Sequence, residues 1–372
     1  MPRRFNILMA CIGLFLFFGT TIINAQSFLQ DSAYLNLIKK DINYIYNQQF
    51  DEAHDIYLKM QKLYPSHPVT YLVSGLLTYW KNYPLLTTSP AHIAFEQDLR
   101  QCIVLSEKKT NPATEAEYLL ANLCARGMLM KFYDDNNQVL NVIPLLTSSY
   151  KYLKQSFSLT NECTDLYYYT GVYNYYREAY PKVYPAYRPF AHLFRSGNME
   201  SGLKQLNNAA VAAVVLRAES YFILTWIYLN FENNYEKALY YCKSLHYKYP
   251  ANELYLVTYV KNLLLVKQYN EAEKLIAASL KETENKYFQA QLIIFKGILQ
   301  EKKYHDNNLA QLCYNSGISR ITPFGEYGNE FAAYAYFGLS RISEIKKEKD
   351  ESKKLRGKAM KLGNFKKLNF DK

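Results

Sequence analysis

The stretch "NNYEKALYYCKSLHYKYPAN" (Asn233–Asn252) is matched downstream by "KQYNEAEKLIAASLKE" (Lys267–Glu282) and upstream by "QQFDEAHDIYLKMQKLYPSHP" (Gln48–Pro68). In each, an aromatic residue stands three positions before an alanine: Phe50 and Ala53, Tyr235 and Ala238, Tyr269 and Ala272. Ala238 and Ala272 are 34 residues apart, and Pro65 and Pro250 follow their alanines by 12. Residues three apart share one side of a helix. Proline lacks the amide that an interior helical turn needs, so it marks where such a helix stops. A unit that recurs at this length is a helical hairpin that buries its apolar side by stacking on copies of itself.

Working outward, "YLVSGLL", "YYYTGVY", "IIFKGIL" and "AYFGLSR" place Gly75, Gly171, Gly297 and Gly338 as the small residues of the first helix in other units. Two helices approach closely only where a small side chain faces the partner. This pattern resembles the tetratricopeptide repeat, with its small eighth and twentieth positions and a proline near the end. Hairpins are expected near 34–65, 68–108, 113–158, from "ECTDLYYYTG" through "NMESGLKQLNNAAVAA", 219–250, 253–282, 286–316 and 327–362. The expected fold is an all-α, tetratricopeptide-like α-α superhelix of roughly eight helical pairs, with residues 26–372 as one repeat domain. The second half, through "GVYNYY", "GNMESGLKQL", "ENNYEKAL" and "AYAYFGLSRI", also resembles the tetratricopeptide proteins related to the mitochondrial outer-membrane and inclusion-body clearance family. That resemblance implies an interaction scaffold and supplies no active site to carry over.

Composition agrees with long helices joined by short turns: 14 glycines and 12 prolines in 372 residues leave few breakers. The start, "MPRRFNILMACIGLFLFFGTTIINAQS", has Arg3 and Arg4 before an apolar run and a small residue at Ala25. It reads as a secretory signal peptide over 1–25, with a retained anchor as the other reading. Net charge is +11, and eleven Lys or Arg against four Asp or Glu fall within 346–372. That basic end reads as a solvated last helix, or as a contact for an anionic membrane surface. Five cysteines follow the leader, an odd number with no regular spacing, so they are expected to pack as apolar side chains, with one disulfide left open.

Nine tyrosines fall in "YYYTGVYNYYREAYPKVYPAYRP" (Tyr167–Pro189). Tyr169, Tyr173, Tyr176 and Tyr180 lie at i, i+4, i+7 and i+11, one stripe of a helix and in part ordinary core. Pro181, Pro185 and Pro189 then predict an extended insertion over 181–198 that borders the concave surface. The candidate ligand-binding residues there are Tyr176, Tyr180, Tyr184, Tyr187, Arg188 and Phe190, with Arg195 beside them. In later units Ile223, Ile227, Asn230, Phe231 and Lys261 occupy groove-facing positions, which are mostly apolar. Such a groove suits a peptide with hydrophobic anchors, unless the same positions bury against neighbouring repeats.

The six histidines are scattered, and no H-E-x-x-H, G-x-S-x-G, P-loop or G-x-G-x-x-G is present. The sequence therefore points to a non-catalytic scaffold without cofactor or metal. Its partner is expected to be another protein or peptide in a bacterial envelope, with no nucleic acid. The rival reading is a nutrient-capture protein stacking a glycan or small ligand on rings such as Tyr79 and Trp80.

Overall fold

The computed structural model describes residues 28–108, 112–191, 194–363 and 370–371, so the expected leader lies outside the described residues. The described chain contains no strand. Its helices pair in chain order. Hairpins 1 and 2 are α1 (Ser32–Tyr46) with α2 (Phe50–Leu63), and α3 (Pro68–Lys81) with α4 (Ala91–Ser106). Hairpins 3 and 4 are α5 (Glu115–Asp135) with α6 (Val139–Ser156), and α7 (Leu166–Val183) with α8 (Met199–Ala212). Hairpins 5 and 6 are α9 (Arg217–Asn230) with α10 (Tyr235–Lys248), and α11 (Glu253–Leu265) with α12 (Tyr269–Glu282). Hairpins 7 and 8 are α13 (Lys286–Lys302) with α14 (Asn307–Ile321), and α15 (Glu326–Ile345) with α16 (Lys349–Leu362). The eight expected units are all present.

The small residues do what their spacing predicts. Ala53, Ala238 and Ala272 are fully buried. A Cβ on Gly171 would lie 3.0 Å from the Gly202 carbonyl oxygen, and one on Gly338 would lie 2.3 Å from the Tyr314 ring. Either addition would force the two helices apart. Six hairpins share one turn device: Gln48, Asn137, Asn233, Lys267, His305 and Lys347 adopt left-handed backbone, with φ between 52° and 64°. That conformation costs about 1–2 kcal/mol for a side-chain-bearing residue, and the packed hairpin supplies it. Hairpins 2 and 4 lack the device and carry long connections instead, 82–90 and 184–198.

One expectation needs correction. The chain does not become extended at Pro181: α7 runs through it to Val183, followed by a 3-10 turn at Pro185–Tyr187 and a helical turn at Arg188–Ala191. Pro181 sits in the last turn of α7, where its missing amide removes a single helical hydrogen bond, and Arg188 Nε donates back to its carbonyl at 3.3 Å.

The spiral is tight enough for its early hairpins to meet its late ones. Asn252 Nδ2 donates to the Tyr46 carbonyl at 3.0 Å, and Asn285 Nδ2 to that of Tyr83 at 2.8 Å. Tyr327 OH donates to the Leu85 carbonyl at 3.2 Å, and Tyr46 OH to Glu219. The turn ends of hairpins 1 and 2 thus rest on the starts of hairpins 5 to 8.

Candidate functional site

The inner face is built by the first helix of each hairpin. In α7 the residues that enter the core are Thr170, Gly171, Tyr175 and Ala179. Tyr175 is fully enclosed and its OH donates to Glu232, while Tyr169, Tyr173, Tyr176 and Tyr180 lie beside this face rather than within it. The stripe read as partly core is therefore the flank of the core. Tyr176 packs edge-on against Phe231 of hairpin 5, centroids 5.1 Å apart. Tyr180 and Tyr184 pack together at 4.7 Å, and Tyr180 is 38% exposed. These residues make a tyrosine ledge across hairpins 4 and 5, continued by half-buried Ile223. Arg188 is exposed beside it, and the side chains of Tyr187 and Phe190 lie outside the described residues.

The later groove positions have a different fate. Ile227 is fully buried and Asn230 nearly so, with its amide donating to the Trp226 carbonyl at 3.1 Å. Lys261 is buried and its ammonium meets Glu330 across the face at 3.0 Å. Burial pushes the Glu330 carboxyl up, but Lys261 and the Tyr334 hydroxyl outweigh it and hold the pKa below its usual value. Ile227, Asn230 and Lys261, read from sequence as ligand contacts, are thus core and cross-brace. Ile227 packs in the core shared by hairpins 4 to 8, and Lys261 is braced by Glu330 of hairpin 8.

Early and late hairpins meet through a set of aromatic residues of which the sequence singled out only Trp80. Tyr46, Trp80, Tyr83, Tyr255, Tyr287 and Tyr327 form a continuous aromatic seam. Tyr46 meets Trp80 at 5.4 Å, Trp80 meets Tyr255 at 5.6 Å, and Tyr83 meets Tyr287 at 6.1 Å and Tyr327 at 5.9 Å. Tyr83 also stacks on Phe288 at 5.8 Å. The connection 82–90 enters here as a wedge. Asn136, in the turn of hairpin 3, holds it by donating to the Leu85 carbonyl at 3.1 Å and accepting from Thr87 N at 3.0 Å. Tyr79 is half-buried and Trp80 buried, so the two rings suggested for glycan stacking belong to this seam.

The other long connection turns away from the inner face. Tyr173 OH donates to the Arg195 carbonyl at 2.5 Å, and Arg195 N donates to Tyr150 OH at 3.3 Å. The Arg195 guanidinium lies 4.7 Å from the Phe157 ring centre, and Phe194 meets Tyr150 at 5.1 Å. Residues 194–197 are thus fastened to α6 and α7. This corrects the expectation that the whole insertion borders the concave surface, since its 194–197 end packs on α6 and α7 instead.

Two buried carboxyls stand out chemically. Asp41 in α1 is fully buried with both oxygens unpartnered, and burial pushes its pKa up to about 8. It stands twelve residues before Ala53, where the repeat pattern calls for a small residue. Glu219 at the seam is pushed up to about 7 by burial, against the opposing effect of the Tyr46 hydroxyl. Asp165 adds to the upward push on Glu219, and burial, helped by the Asp165 and Glu219 carboxyls, raises the Cys124 thiol away from its reactive form. Among the described residues no group of three His, Cys, Asp or Glu could hold a metal. Cys102, Cys124, Cys163, Cys242 and Cys313 are free and buried. Burial pushes their thiols up, away from the reactive thiolate form.

No family model matches the chain, and no curated protein matches it. Among solved structures, a monomeric mutant of IFIT1 with Gppp-AAAA aligns over 84% of this chain and 68% of that one, at 14% identity and a TM-score of 0.43. The all-α helical repeat fold stands on the eight successive hairpins themselves.

Proposed function

We propose that the protein is an exported, non-catalytic repeat scaffold that holds another protein or a peptide in the bacterial envelope. The observation that carries this reading is the tyrosine ledge of hairpins 4 and 5, where Tyr176, Tyr180, Tyr184 and Phe231 remain partly exposed on a rigid framework. Tyrosine and arginine are enriched at binding hot spots, and tyrosine offers a large contact area with only two torsions to freeze. Here the rings lie on packed helices, so little conformational freedom is lost on binding. Ile227, Asn230 and Lys261 would act from beneath, as support. A peptide presenting apolar side chains to the rings, with an acid near Arg188, fits this chemistry. Export rests on the leader read over 1–25.

The test is crosslinking in intact cells, capture of the chain and mass spectrometry, comparing the natural sequence with a Tyr176→Ala, Tyr180→Ala double variant. Loss of a specific partner from the variant supports the ledge. A partner retained in full by a variant with an unchanged melting curve rejects it. The glycan reading is weakened by the enclosure of Trp80 between Tyr46, Tyr83 and Tyr255. Saturable glycan binding by calorimetry would restore it.

A further inference from the structure

We propose that α6 and the connection following α7 form a surface that docks on an anionic lipid bilayer. The proposal is independent of the peptide-binding reading. Helix α6, "VLNVIPLLTSSYKYLKQS", is an outer helix whose sequence is more apolar than its burial requires. Leu140 is 82% exposed, Leu146 61%, Ile143 54% and Val139 53%. Their spacing places all four within about one third of the helix circumference. The same side continues toward the C-terminus through Tyr150, Lys151 and Lys154.

The connection after α7 extends this surface. Phe194, itself 42% exposed, packs on Tyr150, and the Lys154 ammonium lies 5.2 Å from the centre of the Tyr150 ring. Residues 139–156 and 194–198 together carry three Lys or Arg (Lys151, Lys154 and Arg195) and no Asp or Glu. The neighbouring acids are accounted for. Glu178 accepts from Gly197 N at 3.0 Å and meets Arg177 at 3.1 Å, Glu107 accepts from Tyr152 OH at 2.9 Å and pairs with Arg126 at 2.6 Å, and Asp134 lies in the last turn of α5.

Aliphatic side chains at one end, aromatic rings in the middle and cations at the other are the three layers that a bilayer surface accepts. Acyl chains take the first, the interface the second and anionic headgroups the third. The absence of carboxylates across both segments is the charge complement of such a surface. Exposed apolar stripes of this kind mark interaction sites more often than free surface. Among the described residues no helix is long and apolar enough to cross a membrane, so the contact would be peripheral, with the Val139 end of α6 dipping deeper than its Lys154 end.

The test is co-sedimentation of the full chain with vesicles of phosphatidylcholine carrying about one third phosphatidylglycerol, against pure phosphatidylcholine. The expected result is binding to the anionic vesicles that high salt weakens. The surface variants Leu140→Ser/Ile143→Ser and Lys151→Glu/Lys154→Glu should each weaken it by about tenfold or more with unchanged melting curves. Binding equal to the natural chain in either variant overturns the proposal, since residues 1–25 or the basic end would then carry it. So does preference for a polyglutamate peptide over the vesicles, which would indicate an acidic protein partner. No protein partner is present in this assay, so a negative result leaves the tyrosine-ledge reading standing.

Discussion

Along α7, Tyr169, Tyr173, Tyr176 and Tyr180 succeed one another at helical spacing, the first three half-buried and Tyr180 exposed. At the seam, Tyr46, Tyr255 and Tyr287 come from three different hairpins and are no more than 3% exposed. Among the described tyrosines of the crowded run only Tyr175 is fully enclosed, whereas Tyr46, Tyr255 and Tyr287 are enclosed although they are scattered along the chain. A run of aromatics on one helix face reports only what that helix presents to its neighbours. The seam exists because the spiral places turn ends of early hairpins against the starts of late ones. There a tyrosine can bury its ring and still find an acceptor for its hydroxyl. Tyr287 OH reaches the Tyr327 carbonyl at 2.7 Å, and Tyr327 OH reaches that of Leu85 at 3.2 Å.

The contrast can be broken most forcefully at Tyr255. Replacing it with alanine should cost about 4 kcal/mol in urea denaturation, because its ring is held by Tyr46, Trp80 and Tyr249 together. A cost below about 1 kcal/mol would mean that the turns of the spiral do not rest on one another.

Asp41 should give the next largest effect, with the opposite sign. An acid whose folded pKa of about 8 exceeds its unfolded value of 3.8 leaves the folded state binding the extra proton between those limits. Its burial is best tolerated below about pH 4, and stability falls as pH rises toward 8. Asp41→Ala should therefore stabilise the chain, and its advantage should grow by roughly 2–4 kcal/mol between about pH 5 and pH 8. Thermal melts across that range check it, and a pH-independent difference would contradict it.

Tyr46→Phe sharpens the seam itself. Glu219 loses its hydroxyl donor and keeps only its own backbone amide as support for a buried carboxyl, a loss of about 1–3 kcal/mol. Losing a donor that favours the charged form raises the Glu219 pKa further above about 7, so the deficit should appear near pH 8 and shrink near pH 5. At the other extreme, Tyr180→Ala should change stability by less than about 0.5 kcal/mol while weakening capture of a partner. A large loss of stability there would move Tyr180 from the ledge to the core.

The repeat was legible because the hairpin is a local object. An alanine three residues after an aromatic, a glycine facing a helix and a proline after the last turn each act within one unit. Seven of the eight hairpins are placed by such a mark, and the third, 113–158, is not. The left-handed turns were not marked, since Gln48, Lys267 and Lys347 are not residues that announce that conformation. They are held there by the hairpin that closes around them. Of the candidate site residues, Tyr176, Tyr180 and Tyr184 do lie together, because they share one helix and its end. Ile227, Asn230 and Lys261 were placed on an open groove, and what encloses them comes from elsewhere: Glu330, for one, is 69 residues from Lys261.

By itself, then, the sequence determined the helical hairpins, their number and order, and the small residues that let each pair close, since all of these rest on contacts within a few turns of chain. Only the tertiary structure decided how far the spiral curls, and with it which tyrosines are enclosed at the seam and which stand at the ledge. That decision sums small rotations between successive hairpins, with the interrupted second hairpin driving its connection inward as a wedge. No single unit carries a residue pattern for the sum.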